Sequence, residues 1–169
     1  MFLVDTNVFV YATNVALPEH AACRRLLQGW QRQQAAWYTT WGILYEFLRV
    51  VSHRQALRRP WPIDDAVEFV QSLLASPGFG VLVPTPRHAA VLAETVRDVP
   101  GLGGSILHDV HTVVLMREHG IRRIVTRDFG FHRFPFLEVV DPMAEDWPDV
   151  VRETRPRRTK RSPKARLRP

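Results

Sequence analysis

Over its first 150 residues the chain alternates short apolar runs with longer segments of helical spacing, and few folds accept that order. The runs lie at residues 2–4, 37–39, 80–83, 123–126 and 137–140, mostly without the apolar-polar alternation of a strand with one wet face. Strands apolar on both sides belong in a parallel sheet covered on both faces. Between them, residues 20–33, 41–53, 64–76, 86–98 and 106–119 carry apolar side chains at helical intervals, and Pro77, Gly78 and Gly120 stand where helix ends are expected. The order predicts an α/β domain with helices on both faces of about five parallel strands. A break at residues 58–62 (RRPWP) separates the second helix from the third, and the GLGG run at 101–104 marks a flexible loop before the fifth. With 169 residues and 46% hydrophobic content, one domain can bury a real core, and the sequence contains no internal repeat.

The net charge of +6 is misleading until it is located. Residues 152–169 hold nine Lys or Arg against one Glu, a net +8, which leaves −2 on residues 1–151. The sequence therefore divides into a folded unit at 1–150 and a basic, Pro-containing tail at 151–169. A segment so poor in large apolar residues cannot offset its ordering entropy and is expected to be disordered. Such a tail either binds phosphates through counterion release or merely solubilises the chain. The single cysteine, Cys23, has helical neighbours Leu26 and Leu27 and reads as a small core residue without a base to activate it. No run approaches the roughly eighteen apolar residues that span a bilayer, and the start, FLVDTN, has no charged leader. A cytoplasmic protein is expected.

Two of the apolar runs stop on an acid in the same way: FLVD at Asp5 and IVTRD at Asp128. In an open parallel sheet, ligands collect beyond the strand ends. Asp109, early in the helix before strand four, and Glu46, in the helix after strand two, can reach the same edge. Singly, each acid has an ordinary explanation. Asp5 and Asp109 suit a helix N-terminus, Asp128 a turn, and Glu46 an (i, i+3) pair with Arg49. Together they conflict, because carboxylates 4 Å apart repel by roughly 4 kcal/mol per pair at an effective dielectric near 20. A hard divalent cation, Mg²⁺ or Mn²⁺, is the natural remedy at an all-oxygen site.

Strand-ending Asp5 followed by Thr6 and Asn7, helical Glu46, Asp109 within LHDVHTVVLMREHG, and Thr126-Arg127-Asp128 with Phe129 behind it together resemble the PIN-domain nucleases. The likeness is to the VapC-like ribonuclease toxins of type II toxin-antitoxin modules and runs in order from Met1 to about Pro142. It implies a PIN-like three-layer α/β/α fold and an acidic quartet, Asp5, Glu46, Asp109 and Asp128, holding one or two Mg²⁺ or Mn²⁺ ions. Asn7 and Thr126 would orient those carboxylates. The implied activity is metal-dependent hydrolysis of RNA phosphodiester bonds that blocks translation and growth, with RNA as substrate, a cognate antitoxin as partner, and a homodimer as the assembly.

Other features are set lower. His108 and His111 flank Asp109 and could act as general acid or touch phosphate, but without a known ligand spacing they read as a loop residue and a residue on the exposed or partner face of the helix. His132 and Arg133 could touch RNA backbone, although Arg133 could equally bridge strands four and five. Trp37 and Trp41 are expected in the core, and Trp61 is the candidate interface anchor. Two other functional classes stay open. One is a catalytically idle α/β module that binds nucleic acid through its basic tail; the other is a phosphatase with Asp5 as nucleophile, a class that wants a second acid where this chain has Asn7. A nucleotide-binding enzyme is disfavoured because no Gly-rich loop follows strand one.

Overall fold

The computed structural model of the protein describes residues 1–54, 57 and 59–144. The basic tail expected at 151–169 lies outside the described residues.

Five short parallel strands form the centre: β1 (Leu3–Val4), β2 (Trp37–Thr40), β3 (Phe79–Leu82), β4 (Arg123–Val125) and β5 (Glu138–Val140), in the order β3-β2-β1-β4-β5. Six helices connect them: α1 (Thr6–Thr13) and α2 (His20–Arg32) after β1, α3 (Trp41–Ser52) and α4 (Ile63–Leu74) after β2, and α5 (His88–Asp98) and α6 (Leu107–Glu118) after β3. The chain moves outward from β1 through β2 to β3, then returns past β1 to β4. Right-handed crossovers in opposite directions place their helices on opposite faces. Consistent with this, α1 packs on α2 and α3, α3 packs on α4, and α5 packs on α6. The three-layer α/β/α architecture with five parallel strands is thus the one expected.

The core follows from which side chains cannot meet water. Both residues of β1 are fully buried, as are Ile124 and Val125 of β4. Beneath the sheet, Phe2 and Trp30 meet at 5.1 Å between ring centroids, Trp30 and Trp37 at 5.9 Å, and Trp37 and Phe79 at 4.5 Å. Phe47 of α3 gathers Phe9, Phe69 and Trp61 around it. Edge-to-face and tilted pairs of this kind add to the area each ring buries. On the other face, Val110, Val113, Val114 and Met116 bury α6, and its buried Glu118 carboxylate accepts the backbone N–H of Thr85 and faces His88 Nδ1 at 2.6 Å, fastening α6 to the start of α5. Cys23 is fully buried and its thiol is pushed up to about 11 chiefly by that burial, as an inert residue should be.

Several details depart from the sequence reading. Helix α1 was not anticipated. Its run Val8-Phe9-Val10-Tyr11 is β-branched and aromatic, which favours a strand on local grounds; capping by Asp5 and burial of Thr6, Val8, Phe9 and Ala12 make it helical instead. Strands β1, β4 and β5 are each one residue shorter than expected, because Phe2, Thr126 and Leu137 fall outside the ladder, whereas β2 runs on to Thr40 and β3 is shifted by one residue, taking in Phe79 and leaving out Val83. Trp37 is buried as expected, but Trp41 is 46% exposed. As the first residue of α3 it lies over the helix end, touching Tyr45 at 6.2 Å rather than the core. Trp61, read as an interface anchor, is partly buried edge-on against Phe47 and Phe69, and its backbone N–H donates to Val51 O at 2.8 Å, so it pins the α3–α4 connection. Strands β4 and β5 are bridged by Arg123 and Glu138 at 2.9 Å, a role the sequence left open to Arg133.

Candidate active site

The sheet has one point at which crossovers depart in opposite directions: β1, between β2 and β4. Brackets of this kind open a crevice beyond the carboxyl ends of the strands. The register pairs Leu3 with Ile124 and Val4 with Val125, so the next residues out, Asp5 and Thr126, stand side by side. Asp5 N–H donates to Val125 O at 3.1 Å and holds the two strand exits together.

Asp5 is buried and heavily bonded. One carboxylate oxygen accepts the Thr6 N–H at 2.7 Å, which caps α1. The other accepts the Thr126 hydroxyl at 2.6 Å and the Asn7 amide at 2.7 Å. The Thr126 oxygen in turn accepts from Asn7 Nδ2 at 2.8 Å and from the Asp128 N–H at 2.9 Å. One proton given and two lone pairs filled exhaust a hydroxyl, so Thr126 has a single orientation, fixed on Asp5. Asn7 also accepts the Arg127 N–H, at 3.3 Å, tying the loop after β4 to α1. Replacing Thr126 by Val keeps the shape and removes the node. The expected result is a loss of about 1–3 kcal/mol of stability from the buried partners left unsatisfied, with Thr126→Ser close to wild type, measured by denaturant unfolding.

The other acids close on the same place. Asp109 lies in the first turn of α6, and Asp128 caps a 3₁₀ turn (Phe129–Arg133) by accepting the Gly130 N–H at 2.7 Å. A Cβ on Gly130 would stand 3.0 Å from an Asp128 oxygen and 3.5 Å from an Asp109 oxygen, so these two carboxylates share the space above that glycine. Glu46, on the exposed side of α3, receives the Thr6 hydroxyl at 3.2 Å and Arg49 at 3.5 Å. All four acids line one cleft of about 1090 Å³, together with Arg49, Arg133, His108 and His111. His108 and His111 are exposed there. Gly130 was not singled out in the sequence, and Thr6 was noted beside Asp5 without a role. A glycine two residues after an acid, and a threonine starting a helix, are each too common to signal a site.

Electrostatics marks two of the acids. Asp5 is raised to about 6, first by burial and then by Asp109 and Glu46, against the lowering effect of its Thr126 and Thr6 hydrogen bonds. Asp109 is also raised to about 6, by burial and then by Asp128 and Glu46, with Arg133 and His108 opposing. Among the described residues no three His, Cys, Asp or Glu side chains are arranged to grip an ion as they stand. The donor set nevertheless suits one kind of ion. It is entirely carboxylate, it contains two groups that resist ionisation because they are buried beside other acids, and Mg²⁺ is commonly held by one or two carboxylates with water completing the shell. Asp5 and Asp109 are the pair whose charge most needs a cation.

Residues 2–137 match the model of the PIN domain. The chain is 34% identical to Ribonuclease VapC37 of Mycobacterium tuberculosis (strain ATCC 25618 / H37Rv) over 144 residues, covering 85% of this chain and 99% of that relative. It is 33% identical to Ribonuclease VapC43 of the same strain over 143 residues, covering 85% and 96%. Among solved structures it resembles Mycobacterium tuberculosis VapC20, described as a Sarcin-Ricin loop cleaving toxin, with a TM-score of 0.59 and 19% identity over 83% of this chain and 100% of that one. It also resembles VapBC2 from Rickettsia felis bound to a DNA fragment from their promoter, with a TM-score of 0.58 and 15% identity over 82% and 96% of the two chains.

Proposed function

The chain belongs to the PIN-domain family, and from that premise we propose that it is a metal-dependent endoribonuclease, the toxin of a toxin-antitoxin pair. The observation that carries the reading is the convergence of Asp5, Glu46, Asp109 and Asp128 on one cleft at the switch point of the sheet. Relatives that cover nearly their whole length are named ribonucleases, which supplies the substrate class. A cognate antitoxin, a homodimeric state and a cytoplasmic setting belong to the same reading. No helix among the described residues is long and apolar enough to cross a membrane.

Asp5 and Asp109 would hold Mg²⁺ or Mn²⁺, with Glu46 and Asp128 at the sides of the cleft. Bound there, the ion supplies a water of lowered pKa and positive charge toward the phosphate. The chain's own part is positional. Thr126, Asn7 and the Thr6 N–H hold Asp5 in one rotamer, and Thr6 also steadies Glu46. Arg49 and Arg133 put positive charge on the cleft wall, where a phosphodiester backbone lies against it.

The test is cleavage of single-stranded and hairpin RNA by purified protein with Mg²⁺, Mn²⁺ or excess chelator, in the full chain and in one ending at residue 151. The reading expects metal-dependent cleavage by both. RNA retention without cleavage, lost with the tail, would replace it with a binding module.

A further inference from the structure

The turn after Asp128 carries an aromatic side chain that the fold does not use. Phe129 is 84% exposed. Its neighbour Phe131 is buried against Phe134, which anchors the turn, while the Asp128 N–H is held by Thr126 and its carboxylate by the Gly130 N–H. The backbone under Phe129 is therefore tied, through Thr126, to Asp5 itself. The Phe129 ring lies beside His132, at 5.9 Å between centroids and 29° between planes, and both of its faces stay largely open. Both ring-flanking residues, Asp128 and Gly130, line the acidic cleft, and so does Arg133 at the end of the same turn. Arg133 spends its Nε on the Gly130 carbonyl at 3.1 Å and makes no ion pair among the described residues, in contrast to Arg127, which is paired with Glu19 and Asp141.

An exposed aromatic ring on an anchored turn beside a cleft, with a guanidinium two residues beyond the cleft-lining Phe131 that makes no ion pair among the described residues, has the composition of a nucleic-acid ledge: the ring takes a base and the cation takes a phosphate. We propose that Phe129, with His132 beside it, is a stacking platform for an unpaired base next to the scissile phosphate, with Arg133 facing the RNA backbone. The proposal rests on the ribonuclease reading and adds to it a substrate-positioning residue outside the acidic quartet. An unpaired base is required because a base in a duplex already has both faces covered.

Cleavage kinetics of wild type, Phe129→Ala and Phe129→Trp on one single-stranded oligoribonucleotide test it, together with copies of that RNA carrying an abasic nucleotide at each position around the cut. Phe129→Ala should lower kcat/KM about ten- to a hundredfold at an unchanged melting temperature, and Phe129→Trp should restore it, since the side chain needs only a π-face. One abasic position should cost wild type a similar factor and cost Phe129→Ala nothing more. Wild type that cleaves while Phe129→Ala matches it, or a Phe129→Ala that turns a dimer into a monomer in light scattering, overturns the platform alone. Wild type that cleaves no RNA overturns the ribonuclease reading and the platform with it.

Discussion

Asp5→Asn should lower RNA cleavage by about a hundred- to a thousandfold or more while the protein stays folded. The site explains both halves. Asp5 is the acid most deeply placed at the strand exits and is raised to about 6 by burial and by Asp109 and Glu46, so its ionised form is the one a cation has most to gain from. An amide keeps the size and can still accept the Thr6 N–H, which preserves the cap of α1. Its NH₂ faces Asn7 and Thr126, both of which donate to Asp5 in the wild type, and that conflict destabilises. Removal of a buried charge acts in the opposite direction. The two effects are of similar size, so circular dichroism and thermal melting should find a native fold and a melting temperature near that of wild type. Full cleavage by the variant would remove Asp5 from the chemistry.

Metal affinity should fall about a hundredfold between pH 7 and pH 5, since binding must displace protons from two carboxylates that are both raised to about 6. The sign for stability is fixed by the same shifts. Each folded-state value lies above the ordinary 3.8, so the metal-free protein holds these protons more tightly than the unfolded chain does. Their contribution to stability is fully present below about pH 4 and is lost as pH rises through about 6. For buried Asp5 the loss is of order 3 kcal/mol, and for half-exposed Asp109 it is smaller because solvent screens it. In chelator, the melting temperature should therefore decline from pH 5 to pH 7.5; Mn²⁺ should reverse the decline at pH 7.5 and do little at pH 5. Calorimetric titration with Mn²⁺ across this range measures the affinity directly. An affinity flat with pH would show that protons and metal do not compete at these acids.

What the sequence showed of this site, and what it hid, follows from the range of the interactions. Asp5 and Asp128 could be read because an acid at the end of an apolar run conflicts with its surroundings, and that conflict is local. Glu46 and Asp109 could be placed only through their order along a known pattern, since nothing in GILYEFLRVV or LHDVHTVVLM says that their helices pass the same strand ends. Helix α1 was hidden because its stability comes from burial against α2 and α3, which outweighs the local preference of Val8, Phe9 and Val10. Trp41 was misplaced because adjacency to a buried strand does not fix the direction of the first side chain of a helix. The double role of Thr126, as donor to Asp5 and acceptor from Asn7 and Asp128, needs the β1–β4 register, which joins residues more than a hundred positions apart.

Anomalous scattering from crystals grown with Mn²⁺ shows whether the acids at the switch point hold a divalent ion. A peak is expected in the cleft within direct coordination distance of Asp5 and Asp109, absent from crystals of Asp5→Asn. A cleft without a peak at saturating Mn²⁺ and pH 7.5, or a peak held elsewhere on the chain, would contradict a metal site at those acids.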